Sequence, residues 1–247
     1  MRIPLLEDDL TEPGIIDPAD IYKANGAPRR AVMCFFAEVV EAADGSAHAS
    51  LGAQDRRPMY VTSWKGEELA YFYPGLGAPA ACVAMEAAIA MGCRDFVAVG
   101  GAGALIPELA MGEVVIAEQA LRDEGTSYHY LPPERFVSAD PTVSAAIAAS
   151  LEAADMPYRS GTTWTTDAIF REPRTRLERR VAEGCVTVEM EAAAFFAVAK
   201  YREVRVGQLL YAGDALAGDK WDSRGWMQAE DVRTALFDQA LDAAARL

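Results

Sequence analysis

The chain has 247 residues, of which 51% are hydrophobic, and it carries a formal net charge of −14 at pH 7. A chain this acidic repels nucleic-acid phosphates, so a nucleic-acid-binding function is not expected. Its length and apolar content fit a single α/β domain with a large core.

Residues 1–30 are polar and contain four prolines, which predicts an N-terminal arm that lies over the body or over a neighbouring subunit. From residue 31 to residue 247, runs of strand and helix character alternate. Strands are predicted at 31–36, 59–62, 69–73, 95–99, 114–117, 159–163, 186–188 and 206–211. Helices are predicted at 79–91, 141–154, 174–183, 191–201 and 229–247.

This alternation predicts an α/β fold with three α/β/α layers: a single domain around a central twisted sheet that is largely parallel or mixed. No internal repeat and no linker rich in Gly or Ser divides the chain. Ligands on such sheets bind beyond the carboxyl ends of the strands, and candidate motifs follow Val99, Val188 and Tyr211.

The cysteines lie in apolar runs without Cys-x-x-Cys spacing, which favours reduced core residues in a cytoplasmic protein. They are Cys34, Cys82, Cys93 and Cys185. Acidic residues at 7–9 interrupt any signal-peptide pattern, and no apolar run approaches the ~20 residues of a membrane helix. With only two histidines, His48 and His129, neither a multi-histidine metal site nor a bound cofactor is expected.

Two carboxylates stand where a strand-like run meets an Ala-rich, helix-like run. Val186–Val188 suits a buried strand and 192–199 suits a helix, so Glu189 and Glu191 fall at the change of backbone type. Residues two apart in a strand point to one face, so both carboxylates could line a pocket. Equally, two acids can simply begin a helix, where the dipole favours negative charge.

A glycine-rich segment, Gly100-Gly101-Ala102-Gly103, follows the predicted strand at 95–99 and suits either a tight turn or a cradle for an oxygen-rich ligand. Ile106 stands where a dinucleotide fingerprint needs glycine. An earlier Gly-x-Gly lies at 75–77. Further along, Phe170 suits either the core or a stacking site, and Asp214 ends a strand after Gly213.

Taken in order, Gly75–Gly77, Gly100–Gly103, Phe170, Glu189-Met190-Glu191 and Gly213-Asp214 resemble the nucleoside phosphorylases and nucleosidases, the purine nucleoside and uridine phosphorylase-like superfamily. The resemblance covers about residues 31–227. It implies that Glu191 accepts hydrogen bonds from the sugar 2′- and 3′-hydroxyls and that Met190 packs against the ribose. An ionised carboxylate accepts only, which suits a cis-diol with two donors.

The resemblance also implies the remaining roles. Phe170, or by position Ile169, would stack on the base, while Gly100, Gly101, Gly103 and Gly77 would line the phosphate and ribose. Asp214 would protonate a purine at N7 as the glycosidic bond breaks, with Arg224 assisting it. Alternatively, Asp219 or Asp222 takes Arg224 as a salt-bridge partner.

The phosphate ligands of the family are not matched. Its first strand ends in Pro-Gly-Asp-Pro-x-Arg, where this chain has Cys34–Glu38, and its Arg and Ser or Thr around the glycine-rich segment are Ala98 and Gly101 here. Substitute cations are Arg56 or Arg57, reaching in from a neighbouring subunit, or Arg30. If water attacks instead, Glu38 or Glu41 would activate it.

The resemblance therefore implies a nucleoside phosphorylase-like enzyme of nucleoside salvage that uses inorganic phosphate as co-substrate, with purines slightly favoured over uridine. The alternatives are a nucleosidase and a non-catalytic nucleoside-binding protein. It further implies a homo-oligomer, either a dimer or a hexamer, and no membrane partner is expected.

Overall fold

The structure is a computed structural model that describes residues 3–7, 10–51 and 57–247. Ten strands in this part of the chain belong to one sheet. They are β1 (Arg30–Cys34), β2 (Ser46–Leu51), β3 (Arg57–Trp64), β4 (Glu67–Phe72), β5 (Asp95–Ala104), β6 (Val114–Asp123), β7 (Phe136–Ser138), β8 (Tyr158–Thr166), β9 (Cys185–Glu189) and β10 (Arg205–Ala215).

Seven α-helices accompany the sheet within the same described ranges. They are α1 (Pro18–Ile21), α2 (Ala37–Ala42), α3 (Ala78–Met91), α4 (Pro141–Ala153), α5 (Arg174–Ala182), α6 (Ala192–Tyr201) and α7 (Glu230–Ala245). Before β1 the described residues form a short 3-10 turn at Pro4–Leu6 and the single turn of α1, and most of them are exposed.

Strand β5 is the centre of the sheet, because β1 and β10 both pair with it in parallel. Beyond β10 the order continues through β6, β8 and β9, and β9 returns to pair antiparallel with the end of β5, which closes a ring of five strands. On the other side of β1 the sheet extends through β4, β3 and β2. The sheet is therefore mixed and partly closed.

Helices cover both faces of the sheet. Met85 of α3 and Phe195 of α6 belong to the apolar core on one face, whereas Ile147 of α4 and Leu236 of α7 belong to the core on the other. The predicted three-layer α/β/α single domain is confirmed. The carboxyl ends of β1, β4, β5 and β10 meet at one edge, where α3 and α7 begin.

Residues Gly100–Gly103 are not a turn, because β5 runs through them to Ala104. These glycines allow neighbouring side chains to pack closely against the strand. A Cβ at Gly100 would lie 3.4 Å from the Phe35 side chain, and one at Gly101 would lie 3.1 Å from the Tyr211 ring. A methyl group at Gly100 would touch the Phe35 side chain at an ordinary contact distance, whereas one at Gly101 would fit only if the Tyr211 ring moved slightly.

The four cysteines are free and buried. Among residues 3–7, 10–51 and 57–247, no helix is both long and apolar enough to span a bilayer.

Candidate active site

The junction between β9 and α6 is held by the carboxylate of Glu189. Its Oε2 accepts hydrogen bonds from the backbone N–H groups of Glu191, at 2.7 Å, and Ala192, at 2.6 Å. Its Oε1 accepts from the hydroxyl of Thr165 on β8, at 2.6 Å. A carboxylate that receives the first N–H groups of a helix caps it and is favoured by its dipole. Glu189 thus fixes the backbone that carries Glu191.

Glu191 connects this junction to a distant part of the chain. Its side chain is 5% exposed, and its Oε1 accepts a hydrogen bond from the backbone N–H of Gly77 at 2.6 Å. Gly77 precedes α3 and has φ of +88°, a conformation that favours glycine. The carboxylate predicted to bind the sugar and a glycine predicted to line the phosphate are therefore in direct contact, with Met190 half-buried beside them.

Burial favours the neutral forms of both acids. It raises the pKa of Glu191 well above its ordinary value, and the neighbouring Glu189 raises it further. Burial also raises the pKa of Glu189, although the hydrogen bond from Thr165 and those from the backbone lower it. Such strong perturbation of pKa values is typical of functional sites.

Arg57, in the first position of β3, reaches the Gly75–Gly77 turn from within the same chain. Its guanidinium Nη1 donates to the carbonyl of Pro74, and a Cβ at Gly75 would collide with that nitrogen. Burial raises the pKa of Tyr73, Glu191 raises it further, and Arg57 lowers it. Arg57 and Glu191 therefore both lie within electrostatic reach of the Tyr73 hydroxyl.

Arg30, another proposed phosphate ligand, lies elsewhere. Arg30 begins β1 at the opposite edge of the sheet, where its Nη1 lies 2.7 Å from the Glu67 carboxylate. Arg56 lies outside the described residues. Of the two arginines that the structure describes, Arg57 is the one that lies at the Gly75–Gly77 turn.

Gly103 lets Asp214 come close to the β5–β9 pair. A Cβ at Gly103 would lie 3.3 Å from Oδ1 of Asp214 and 3.0 Å from the side chain of Val188, its cross-strand partner. Val188 immediately precedes Glu189. Asp214 is thus at the same edge of the sheet as the Glu189-Met190-Glu191 segment.

The donor that contacts Asp214 is an indole. Nε1 of Trp221 donates to Oδ2 of Asp214 at 2.6 Å. Arg224 instead donates from Nη1 to the carbonyl of Leu109 at 2.8 Å, and Asp222 accepts from the backbone N–H of Arg224, not from its side chain. The predicted pairing of Arg224 with Asp214 does not form here.

Ile169 and Phe170 lie on a 3-10 turn, Ile169–Arg171, at the rim of the same region, and are 56% and 94% exposed. The alternative that Phe170 is a core residue is therefore wrong. Glu172 follows this turn, and burial raises the pKa of its carboxyl, which the charge of Asp214 raises further. Sequence reasoning did not identify Glu172 or Trp221, because nothing in their local pattern shows which strand end they approach.

A cavity of about 750 Å³ lies away from this edge, and none of the predicted site residues lines it. It is bordered by Glu118 of β6, Ser144 of α4 and Tyr158 of β8.

The family model described as the phosphorylase superfamily matches residues 29–246. A guanosine phosphorylase of Halorubrum lacusprofundi is 29% identical over 76% of this chain and 81% of its own length. A purine nucleoside phosphorylase of the DeoD type from Myxococcus xanthus is 27% identical over 75% of this chain and 76% of its own.

A uridine phosphorylase of Treponema pallidum is 32% identical over 55% of this chain, and the match spans only 57% of that relative. Among solved structures, a uridine phosphorylase from Vibrio fischeri superposes with a TM-score of 0.75, at 21% identity, over 92% of this chain and 95% of the other. At that identity the likeness concerns the fold.

Proposed function

The chain belongs to the phosphorylase superfamily, and from this premise we propose that it cleaves the N-glycosidic bond of a nucleoside with inorganic phosphate. The products would be a free base and ribose 1-phosphate. Purine nucleosides are favoured slightly over uridine because Asp214 can protonate a purine ring nitrogen.

The observation that carries this proposal is the contact between Glu191 and Gly77. It joins the acid that we propose binds the sugar, just before α6, to the N-terminal end of the 14-residue helix α3. Glu191 in its ionised form would accept the two ribose hydroxyls, and substrate donors would favour that form over the neutral one. Glu189 would keep the backbone of Glu191 in place.

Cleavage passes through an oxocarbenium-like sugar, so the departing base needs a proton and the nucleophile must wait close to C1′. Asp214 would supply the proton at the base end. Phe170 would stack on the base plane. Met190 would form the apolar wall beside the ribose.

Phosphate would bind where the Gly75–Gly77 turn meets α3. The N-terminus of a helix favours anions, and the guanidinium of Arg57 already lies against this turn. A cation from the same chain could thus replace the unmatched arginines of the family.

A second candidate is hydrolysis of the same bond, which the position of Glu38 favours. Glu38 follows β1, and its Oε1 lies 2.6 Å from Nε of Arg233, whose side chain is 9% exposed. A carboxylate fixed in this way at the edge of the sheet is suited to orient an attacking water.

The exposure of Phe170, together with that of Leu76 at 70%, supports assembly with a second copy that covers the rim. Size-exclusion chromatography with light scattering would give the number of subunits.

The test is to incubate the purified chain with inosine, guanosine, adenosine and uridine, with and without phosphate, and to measure free base and ribose 1-phosphate. Release that depends on phosphate supports phosphorolysis. Release without phosphate supports hydrolysis, and binding without release from any nucleoside contradicts both.

A further inference from the structure

The loop after β10 folds back to the end of its own strand and brings an indole there. Ala215 and Asp222 form a two-bond bridge, with N···O distances of 2.8 and 3.0 Å. Trp221 directly precedes the second residue of this bridge, and its Nε1 donates to Oδ2 of Asp214 at 2.6 Å. Trp221 is 63% exposed, so this hydrogen bond, and not burial, holds its ring at Asp214.

The backbone on either side of Trp221 is anchored separately from the indole ring. Before it, the carbonyl of Leu216 accepts a hydrogen bond from Nη1 of Arg174 at 2.9 Å. After it, the guanidinium of Arg224 donates to the carbonyl of Leu109 at 2.8 Å. Because exposed side chains change rotamer within nanoseconds, the indole can leave Asp214 while the loop keeps its place.

The two oxygens of the Asp214 carboxylate face different partners. Oδ1 lies against β5, 3.3 Å from where a Cβ at Gly103 would stand. Oδ2 faces the indole of Trp221. A ligand ring that approaches Oδ2 along the same direction must therefore displace the indole.

The indole of Trp221 and a free purine base offer Asp214 the same kind of hydrogen-bond donor. Indole is a flat, fused bicyclic ring with one ring N–H, and a free purine carries the hydrogen of its five-membered ring on N7 or N9. In a purine nucleoside N9 carries the sugar and N7 has no hydrogen. Because a ring N–H bonds well to a carboxylate, a free purine can replace the indole at Oδ2 donor for donor, and N7 of a nucleoside cannot.

We propose that Trp221 is a residue of the base site that competes with the released purine base for Asp214. The indole holds Oδ2 whenever no base does, and a free purine binds there by displacing it. The inference rests on the proposed function, which places the base at Asp214. Because only molecules with the indole turned away can bind the base at Oδ2, Trp221 weakens the binding of this product.

The first measurement follows the indole directly. The chain has four tryptophans, so labelling with 5-fluorotryptophan gives four fluorine NMR signals, and the signal missing in Trp221→Phe belongs to Trp221. Hypoxanthine should shift this signal more than the other three. 7-Deazahypoxanthine has nearly the same shape but carries C–H in place of N7, so it should leave the Trp221 signal unmoved at the same concentration.

The second measurement compares affinities for hypoxanthine by isothermal titration calorimetry. Trp221→Phe keeps an aromatic ring but has no N–H to donate, so it should bind hypoxanthine about 5-fold more tightly than wild type. Trp226→Phe is the matched control, because it makes the same change at a nearby tryptophan that is 41% exposed. Its affinity should stay within about 2-fold of that of wild type.

The inference is overturned if Trp221→Phe binds hypoxanthine no more tightly than wild type, or if wild type does not bind hypoxanthine. It is also overturned if saturating hypoxanthine leaves the Trp221 signal in place, or if 7-deazahypoxanthine shifts this signal as much. Neither measurement needs turnover, so both are separate from the proposed function, which fails if wild type releases no base from any nucleoside. Circular dichroism checks the fold of Trp221→Phe. If that variant is unfolded, the wild-type fluorine signal, assigned with Trp221→Tyr, decides alone.

Discussion

The two ends of the candidate site are built differently. At the proposed sugar end Glu189 and Glu191 are 6% and 5% exposed, and hydrogen bonds from β8, α6 and the turn before α3 hold them. At the base end Phe170 and Trp221 are 94% and 63% exposed, and they stand on a 3-10 turn and a loop.

The fold holds the two buried acids in position before substrate binds, whereas the exposed aromatic side chains gain contacts only when a ligand or a second subunit covers them. An acid held by several backbone groups needs little reorganisation when the sugar arrives, which lowers the barrier to reaction. Exposed aromatic side chains on short connections gain their contacts when a base or a second subunit covers them. Substitutions at the proposed sugar end should therefore change catalysis or stability, and those at the proposed base end should change substrate affinity.

The largest expected effect is that of Glu191→Ala. Loss of the acceptor for the ribose hydroxyls should lower kcat/KM by about 10³-fold, because charge-assisted bonds in a buried site are lost. The assay is base release under saturating phosphate, with circular dichroism to check the fold. Turnover close to that of wild type would remove Glu191 from the sugar site, and Glu178→Ala serves as the exposed control.

Glu189→Ala should chiefly reduce stability. The variant leaves the buried N–H groups of Glu191 and Ala192 without their acceptor and removes the cap of α6, at a cost of about 2–4 kcal/mol in the free energy of unfolding. Urea denaturation measures this change. An effect no larger than that of an exposed substitution would mean that the cap does not fix the sugar end.

The raised pKa of the buried Glu191 should make the free energy of unfolding depend on pH. Because the pKa of Glu191 is raised in the folded state above its ordinary value of 4.5, the folded chain binds more protons than the unfolded one over the range above that value. Stability is therefore complete at acid pH and is lost as pH rises through the folded pKa. Glu191→Gln should be more stable than wild type by roughly 1–3 kcal/mol at about pH 9 and nearly equal to it at about pH 4.5. Urea denaturation of both proteins measures this difference. The same difference in urea midpoint between Glu191→Gln and wild type at both pH values would contradict the expectation.

Phe170→Ala should have the smallest effect. Removing an exposed ring leaves the free energy of unfolding almost unchanged, while KM for the nucleoside rises about 10-fold through lost stacking. Steady-state kinetics and urea denaturation check the two parts separately. A large loss of stability would show that Phe170 supports the fold instead of the base.

The order of most elements could be predicted from hydrophobic periodicity. Helix α3, predicted at 79–91, runs Ala78–Met91, and α4, predicted at 141–154, runs Pro141–Ala153. Strand β2, Ser46–Leu51, was missed because it is a largely exposed edge strand, and two of the three apolar positions in its alternation are small alanines that give a weak strand signal. Residues Gly100–Gly103 were expected to form either a tight turn or a ligand cradle, and no turn forms there, because the segment continues strand β5 beside Phe35 and Tyr211.

The sequence by itself determined the alternating α/β pattern and the change from strand to helix around Glu189 and Glu191, because both follow from local propensity and spacing. Only the tertiary structure decided that Gly77 donates to Glu191, that Arg57 comes from the same chain, and that Trp221 instead of Arg224 contacts Asp214. These pairings depend on how separate strands end at a common edge of the sheet. Hydrogen bonds between residues far apart in sequence produce no periodic pattern that the sequence could show.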